Sequence, residues 1–236
     1  MQDKIIALVK FLNNGGKDGK SYADRLLDGD IYMRSASYFV HQEYIQQSKG
    51  QGDVEEGLAL GMVRCGMNRP IYCLYTVWAS DCIGHHGDNA IISSRIIDEF
   101  CKGKSGYAVI IDYPQFMDRI QSAGLGGYAV LCQPVTYGRQ SIADQMKLLT
   151  QSPESFLLFK SPFFSYQKEF RIISYHSLPF VNNGEYKKFG NLLDKEYGDI
   201  TYSIGDIRNF ARKTSIDKLK QDQNGNYLLP IKNETL

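Results

Sequence analysis

Gln167, Glu169 and Arg171 stand at alternate positions in the segment running from Phe163 to Ile172. In a strand, successive side chains point to opposite faces, so these three would share one side while Phe164, Tyr166, Phe170 and Ile172 shared the other. A carboxylate and an amide two positions apart lie about 6–7 Å from each other on such a face, close enough to engage one substrate together. Burying Glu169 ionised would be costly unless a cation met it. The plainer reading is an exposed strand face on which Glu169 and Arg171 form a weak ion pair.

A second group surrounds Arg34, in the run from Leu26 to Phe39. The order is a helix stop at Asp28-Gly29 followed by a strand, with Arg34 on the face of Tyr32, Ala36 and Tyr38 and with Ser35 and Ser37 among the small residues nearby. A guanidinium beside an aromatic platform can grip a phosphate bidentately, or it can extend to the surface. Glu43, Asp53 and Glu56 follow as an acidic cluster. It reads either as solvated surface charge or as part of a polar site at the strand end.

Other motifs fail on spacing. Gly103-Lys104-Ser105 resembles the end of a phosphate-binding loop, but Asp98 stands where its first glycine belongs. Gly124-Leu125-Gly126-Gly127 lacks the third glycine of a dinucleotide fingerprint and reads as a turn. Cys82, His85 and His86, with Cys73 upstream, make one potential zinc pair without a second, so a solvated glycine-rich loop is the better reading and no metal is expected. There is no Gly-x-Ser-x-Gly elbow, and no cysteine has an adjacent base.

The elements that must position these residues are short and mixed. Helical spacing of Ile5, Leu8, Val9 and Leu12 predicts an N-terminal helix. Ser21 caps a helix through Leu27 that stops at Gly29, and Ile31 to Val40 alternates as a strand. Residues 53–62 read as a helix or a folded loop. Ile71 to Trp78 is a β-type run, and Ser80 to Asn89 a polar loop. Helices are expected at 91–101, 115–121 and 140–149, with strands at 107–113 and 128–137. Ser152-Pro153-Glu154 starts another short helical turn. The 163–175 segment reads as a strand, a helix is expected near 205–213, and the polar tail from Gln221 is expected to be loose. Strands and short helices without regular βαβ alternation indicate an α+β fold.

The 236 residues show no forced linker, so a single domain over 1–236 is expected, and 43% hydrophobic with 22% charged residues suffices for a substantial core. A net charge of +1 gives no global footprint for nucleic acid or an anionic membrane, leaving room only for a local basic groove. The run Arg208, Arg212, Lys213, Lys218 and Lys220 is one such local excess, read more simply as a solvated helix face. Five cysteines without close pairing suit reduced thiols in a cytoplasmic protein. No stretch is long and apolar enough to span a bilayer.

Taken in order, Leu26-x-x-Gly29-x-Ile31-x-Met33-Arg34, Phe39-x-x-x-Glu43, Asp53-x-x-Glu56-Gly57, Cys73-Leu74-Tyr75 and Glu169-Phe170-Arg171 resemble a bacterial group in the ADP-ribosyltransferase superfamily. The likeness covers residues 22–175 and is nearest in style to nucleic-acid-modifying toxins of the DarT type. It implies a split β-sheet core with peripheral short helices, with NAD as co-substrate. Gln167-Lys168-Glu169 is similar to the family's Gln/Glu-x-Glu pattern, and residues 75–80 to its middle strand. By that resemblance Glu169 would hold the nicotinamide ribose and face the cation that develops as the glycosidic bond breaks. Gln167 would position the acceptor. Arg34 would meet the pyrophosphate, and Tyr38, Tyr75 and Ser37 would complete the NAD site. A toxin or phage-defence effector is implied, acting on nucleic acid or protein and possessing an antitoxin partner. The alternatives are an NAD glycohydrolase and a noncatalytic interaction protein that uses the Arg34–Glu56 region. Glu169→Gln is expected to abolish turnover and leave the fold intact.

Overall fold

The computed structural model describes residues 3–39, 68–86, 89–92, 105–138, 153–181, 196–219 and 221–231. The fold is α+β and dominated by strands. Its central sheet has eight strands: β1 (Ile5–Leu12), β2 (Asp30–Ser35), β3 (Pro70–Trp78), β4 (Tyr107–Asp112), β5 (Val130–Pro134), β6 (Glu169–Ser174), β7 (Asp199–Ser203) and β8 (Ala211–Ser215). Its strand pairings are antiparallel.

Strand β3 is the hub, because it pairs with β1, β2 and β6 although a strand has only two edges. Tyr75 pairs with both Val9 and Glu169, which puts β1 and β6 on opposite edges. Ile71 pairs with both Arg34 and Ile173, which puts β2 opposite β6 as well. Strands β1 and β2 therefore share one edge of β3. The first takes the stretch from Tyr75 to Trp78 and the second Pro70 and Ile71, and the edge from Tyr72 to Leu74 falls between them. The sheet forks at that gap. One prong continues β1–β4–β8 and the other β2–β7, while β6 and β5 extend the far edge.

Each face of the sheet carries apolar packing. Leu8, Ile31, Met33, Tyr72, Leu74, Phe170 and Ile172 face helices α1 (Tyr22–Leu27) and α2 (Tyr113–Ala123), which contribute Ala23, Leu26, Leu27, Phe116 and Ile120. On the reverse face, Ile6, Val9, Tyr75, Val77 and Ile110 pack with Ile92, Leu229 and Ile231. Burial of each such aliphatic side chain contributes about 1.5–3 kcal/mol. Helix α1 begins where expected, with Ser21 Oγ accepting from the Asp24 N–H at 3.1 Å. Its stop is exacting: Gly29 has φ +95°, and a Cβ there would lie 2.1 Å from the Gly205 carbonyl oxygen.

Several elements differ from the sequence expectation. The N-terminal segment is the strand β1, with Ile5 to Val9 all buried, instead of a helix. A short apolar run buried on both faces lacks alternation, so periodicity alone could not separate the two forms. The segment expected as one strand from Phe163 is a 3-10 helix, Pro162–Gln167, and only then β6. Ser161 and Pro162 supply the helix start, Phe164 and Gln167 are buried at the i, i+3 spacing of such a helix, and Lys168 ends it with φ +40°. Residues 205–213, expected as a helix, run into β8, which pairs with β4. The 80–89 stretch forms strand Cys82–His86 paired with Asn89–Ile92. The tail contributes Tyr227–Leu229 to that small sheet, so its apolar side chains are docked where a loose end was expected. Glu43, Asp53, Glu56, the 53–62 element, the 140–149 helix and most of the 91–101 helix lie outside the described residues. No helix among the described residues is long and apolar enough to cross a membrane.

Candidate functional site

The fork encloses a cleft of about 640 Å³, within the range of small-molecule sites. Lys10 and Phe11 line it from β1, Tyr32 and Arg34 from β2, and Tyr72 and Cys73 from the uncovered edge of β3. Helix α1 closes one end with Tyr22, Arg25 and Leu26, and Asp199 and Thr201 of β7 lie beyond β2. The cleft follows from the strand pairing: β1 leaves β3 after Val9, and β2 joins it only at Arg34.

Arg34 is held by aromatic groups. Its Nε donates to the Tyr32 hydroxyl at 3.0 Å, and its guanidinium carbon lies 3.8 Å from the centre of the Tyr38 ring. The Tyr32 hydroxyl in turn donates to the Asp199 carboxylate, and burial together with that carboxylate raises the phenol above its ordinary range. Opposite, Lys10 Nζ donates to the Cys73 carbonyl oxygen at 2.6 Å and lies 4.3 Å from the centre of the Tyr72 ring. The ammonium thus caps backbone that neither β1 nor β2 covers. Burial pushes Lys10 below the usual lysine range, with Cys73 and Glu169 partly offsetting it.

Glu169 sits on the other edge of β3, at the start of β6. One carboxylate oxygen accepts from Lys160 Nζ at 2.8 Å, and the other from Arg171 Nε at 2.8 Å and Nη2 at 2.7 Å. Lys160 also donates to Gln167 Oε1 at 2.6 Å. Burial pushes Glu169 upward, but the charges of Arg171 and Lys160 and their hydrogen bonds outweigh it and hold the pKa down to about 2. The carboxylate is therefore ionised at neutral pH. Gln167 and Glu169 do come together, through Lys160 instead of through a common strand face. Lys160, 2% exposed at its side chain, was not singled out in the sequence because it lies on the two-residue strand Phe159–Lys160, too short to leave a pattern.

The expected site residues consequently fall into two neighbouring groups. Arg34 lines the fork, with Tyr38, in the helical turn after β2 where a continuing strand was expected, packed on its guanidinium, whereas Glu169 and Gln167 belong to the Lys160 cluster and do not line the cleft. Ser37 is buried, with its hydroxyl 2.9 Å from that of Ser35. Tyr75 is 3% exposed and packs edge-on against Phe11, their ring centres 6.0 Å apart. Cys73 joins the groups: it lines the cleft, pairs with Arg171 across β3 and β6, and has its thiol raised by burial and by Glu169. Arg34 is opposite Ile71 and Glu169 opposite Tyr75, so the two project from one face of the sheet about 13 Å apart along β3.

Elsewhere, two cations of the basic run near the C-terminus are paired, and Lys220 lies outside the described residues. Arg208 bonds Asp28 and Asp206, and Lys213 bonds Asp24 at 2.9 Å. His85 and His86 are exposed on the Cys82–His86 strand. No protein-family model, curated protein or solved structure matches this chain.

Proposed function

We propose that this protein is an NAD-dependent ADP-ribosyltransferase that seats its dinucleotide in the fork and extends the nicotinamide ribose past Cys73 towards Glu169. The observation that carries this reading is a basic, aromatic cleft at one edge of β3 and an ionised, part-buried carboxylate at the other, with Arg34 and Glu169 on the same face of the sheet. Arg34 would bind the pyrophosphate, and the cleft's rings offer stacking surfaces for a base. Cleavage of the bond between ribose C1′ and nicotinamide nitrogen sends the electron pair to nicotinamide and leaves a cationic sugar. Glu169 would accept from a ribose hydroxyl and face that cation, and the acceptor's nucleophile would add to C1′ and lose its proton. Gln167, its oxygen fixed by Lys160, would orient the acceptor. By resemblance, the acceptor is a nucleic acid or a protein and the role that of a toxin or phage-defence effector.

One observation favours a second reading, a binding protein without turnover: both Glu169 oxygens already accept from cations. Incubation with NAD labelled in its adenosine half separates the two. Label on RNA, DNA or protein supports transfer, free ADP-ribose supports hydrolysis, and intact NAD across a broad acceptor panel leaves the binding reading. Residue 169 is then tested in the charge-balanced Glu169→Gln/Lys160→Met variant, which removes one anion and one cation together. Turnover lost in that variant but present in Lys160→Met alone assigns the chemistry to the carboxylate. Turnover retained in the double variant sinks that assignment.

A further inference from the structure

The fork has a charge imbalance. Four of its lining side chains are cationic, Lys10, Lys17, Arg25 and Arg34, and two are anionic, Asp30 and Asp199. Both carboxylates are engaged: Asp30 accepts from Arg25, with 2.8 Å between Nη2 and the oxygen, and Asp199 accepts from the Tyr32 hydroxyl. Two of the cations are in the opposite situation. Lys10 is steadied by the Cys73 carbonyl and the Tyr72 ring, and Arg34 by the Tyr32 hydroxyl and the Tyr38 ring. None of these partners carries a full negative charge in its ordinary state. Among the described residues, no carboxylate lies within ion-pair distance of either one.

Arg69, Lys160, Lys168 and Arg171 each have a carboxylate partner, whereas part-buried Arg119 is met by the Ile204 and Asp206 carbonyls and the Phe210 ring. A part-buried cation without one raises the cost of folding unless something else meets it. Lys10 and Arg34 moreover come from different prongs, β1 and β2, and line the same cleft from its two sides.

We propose that Lys10 and Arg34 form a two-walled clamp for the diphosphate of a nucleotide, with Lys10 the residue that makes the cleft select diphosphates over nucleosides. The inference rests on the nucleotide reading of the fork, but not on any turnover there. A doubly esterified diphosphate carries two fixed negative charges, the number that cancels the excess on the lining. Lys10 has two N–H donors left after the Cys73 bond, and Arg34 has its terminal nitrogens left after the Nε bond to Tyr32. Each wall therefore supplies a fork of donors for one phosphate group. A nucleoside has no group to fill the space between them.

The test is calorimetric binding of ADP-ribose, ADP and adenosine to wild type and to the Lys10→Gln and Lys10→Arg variants, with thermal melting of each to confirm folding. Loss of one charge–charge contact is expected to weaken ADP-ribose and ADP at least tenfold in Lys10→Gln, with adenosine unchanged and much of the loss recovered in Lys10→Arg. The wild-type affinity for ADP-ribose should also fall more steeply with salt than that of Lys10→Gln. The clamp is overturned if Lys10→Gln binds ADP-ribose as wild type does, or weakens adenosine equally. Diphosphate binding that depends on Lys10, in a protein that leaves NAD intact, would refute transferase activity and uphold the clamp.

Discussion

Glu169 is where the proposed chemistry and the stability of this protein meet. Its replacement by glutamine is nearly isosteric, and from the sequence it promised to be silent for folding. The two cations around it reverse that expectation. Removing the carboxylate takes away the anion that Lys160 and Arg171 share in the interior, and breaking a buried pair in this way costs about 3–5 kcal/mol. Glu169→Gln should therefore melt well below wild type at pH 7, and adding Lys160→Met should recover part of the loss. The pH dependence has a definite sign. Glu169 titrates lower in the folded protein than its ordinary 4.5, at about 2, so its contribution is complete above about pH 4.5 and disappears as the pH falls towards 2. Wild type should lose melting temperature across that window, and Glu169→Gln should lose less. Parallel acid profiles for the two proteins would show that the carboxylate is not held as the geometry requires.

The prongs of the fork are set by turns as much as by strands. Gly29 ends α1 and feeds β2 while its backbone abuts Gly205, just after β7. Ile204 N–H donates to the Gly29 carbonyl at 3.0 Å and Ile207 N–H to the Leu27 carbonyl at 2.9 Å. Gly29→Ala meets both a positive φ and a backbone collision, so it should cost more than about 1 kcal/mol, read as a lower denaturation midpoint. It should also weaken ligand binding in the cleft, because Arg34 lies on the displaced prong. Unchanged stability and affinity would mean that β2 is positioned by something else. Much of this local order was legible: the Ser21 cap, the stop at Gly29, the strands around Ile31, Ile71 and Tyr107, and the turn at Gly124 all carry short-range signals. The failures share a cause. In β1 the run Ile5 to Val9 is apolar on both faces, and in 162–167 an alternating pattern of aromatic and polar residues sits on a 3-10 helix whose start, Ser161-Pro162, was the better guide. Of the candidate site, Arg34 and Glu169 could be named from the sequence, but Lys10 and Lys160 enter only through pairings between distant segments, which local spacing does not encode.

The chain closes on itself through its last described strand. Tyr227–Leu229 pairs with Asn89–Ile92, and Leu229 and Ile231, 2% and 4% exposed, complete the core on the reverse face of the sheet. Leu229→Ala should accordingly cost about 2–5 kcal/mol, as a buried leucine would and a loose tail would not. A shift in melting temperature of a degree or less would argue that the segment is dispensable. The fork has its own implication for how such a scaffold could adapt to guests of different size. Because β1 and β2 hang from the same rail, the distance between them cannot vary smoothly: to widen the gap, a rung of backbone hydrogen bonding at Val9–Tyr75 or Arg34–Ile71 must let go, and to narrow it, a new rung must zip shut. The opening would therefore be adjustable only in whole steps, like a ratchet, with the ammonium on the Cys73 carbonyl acting as the pawl.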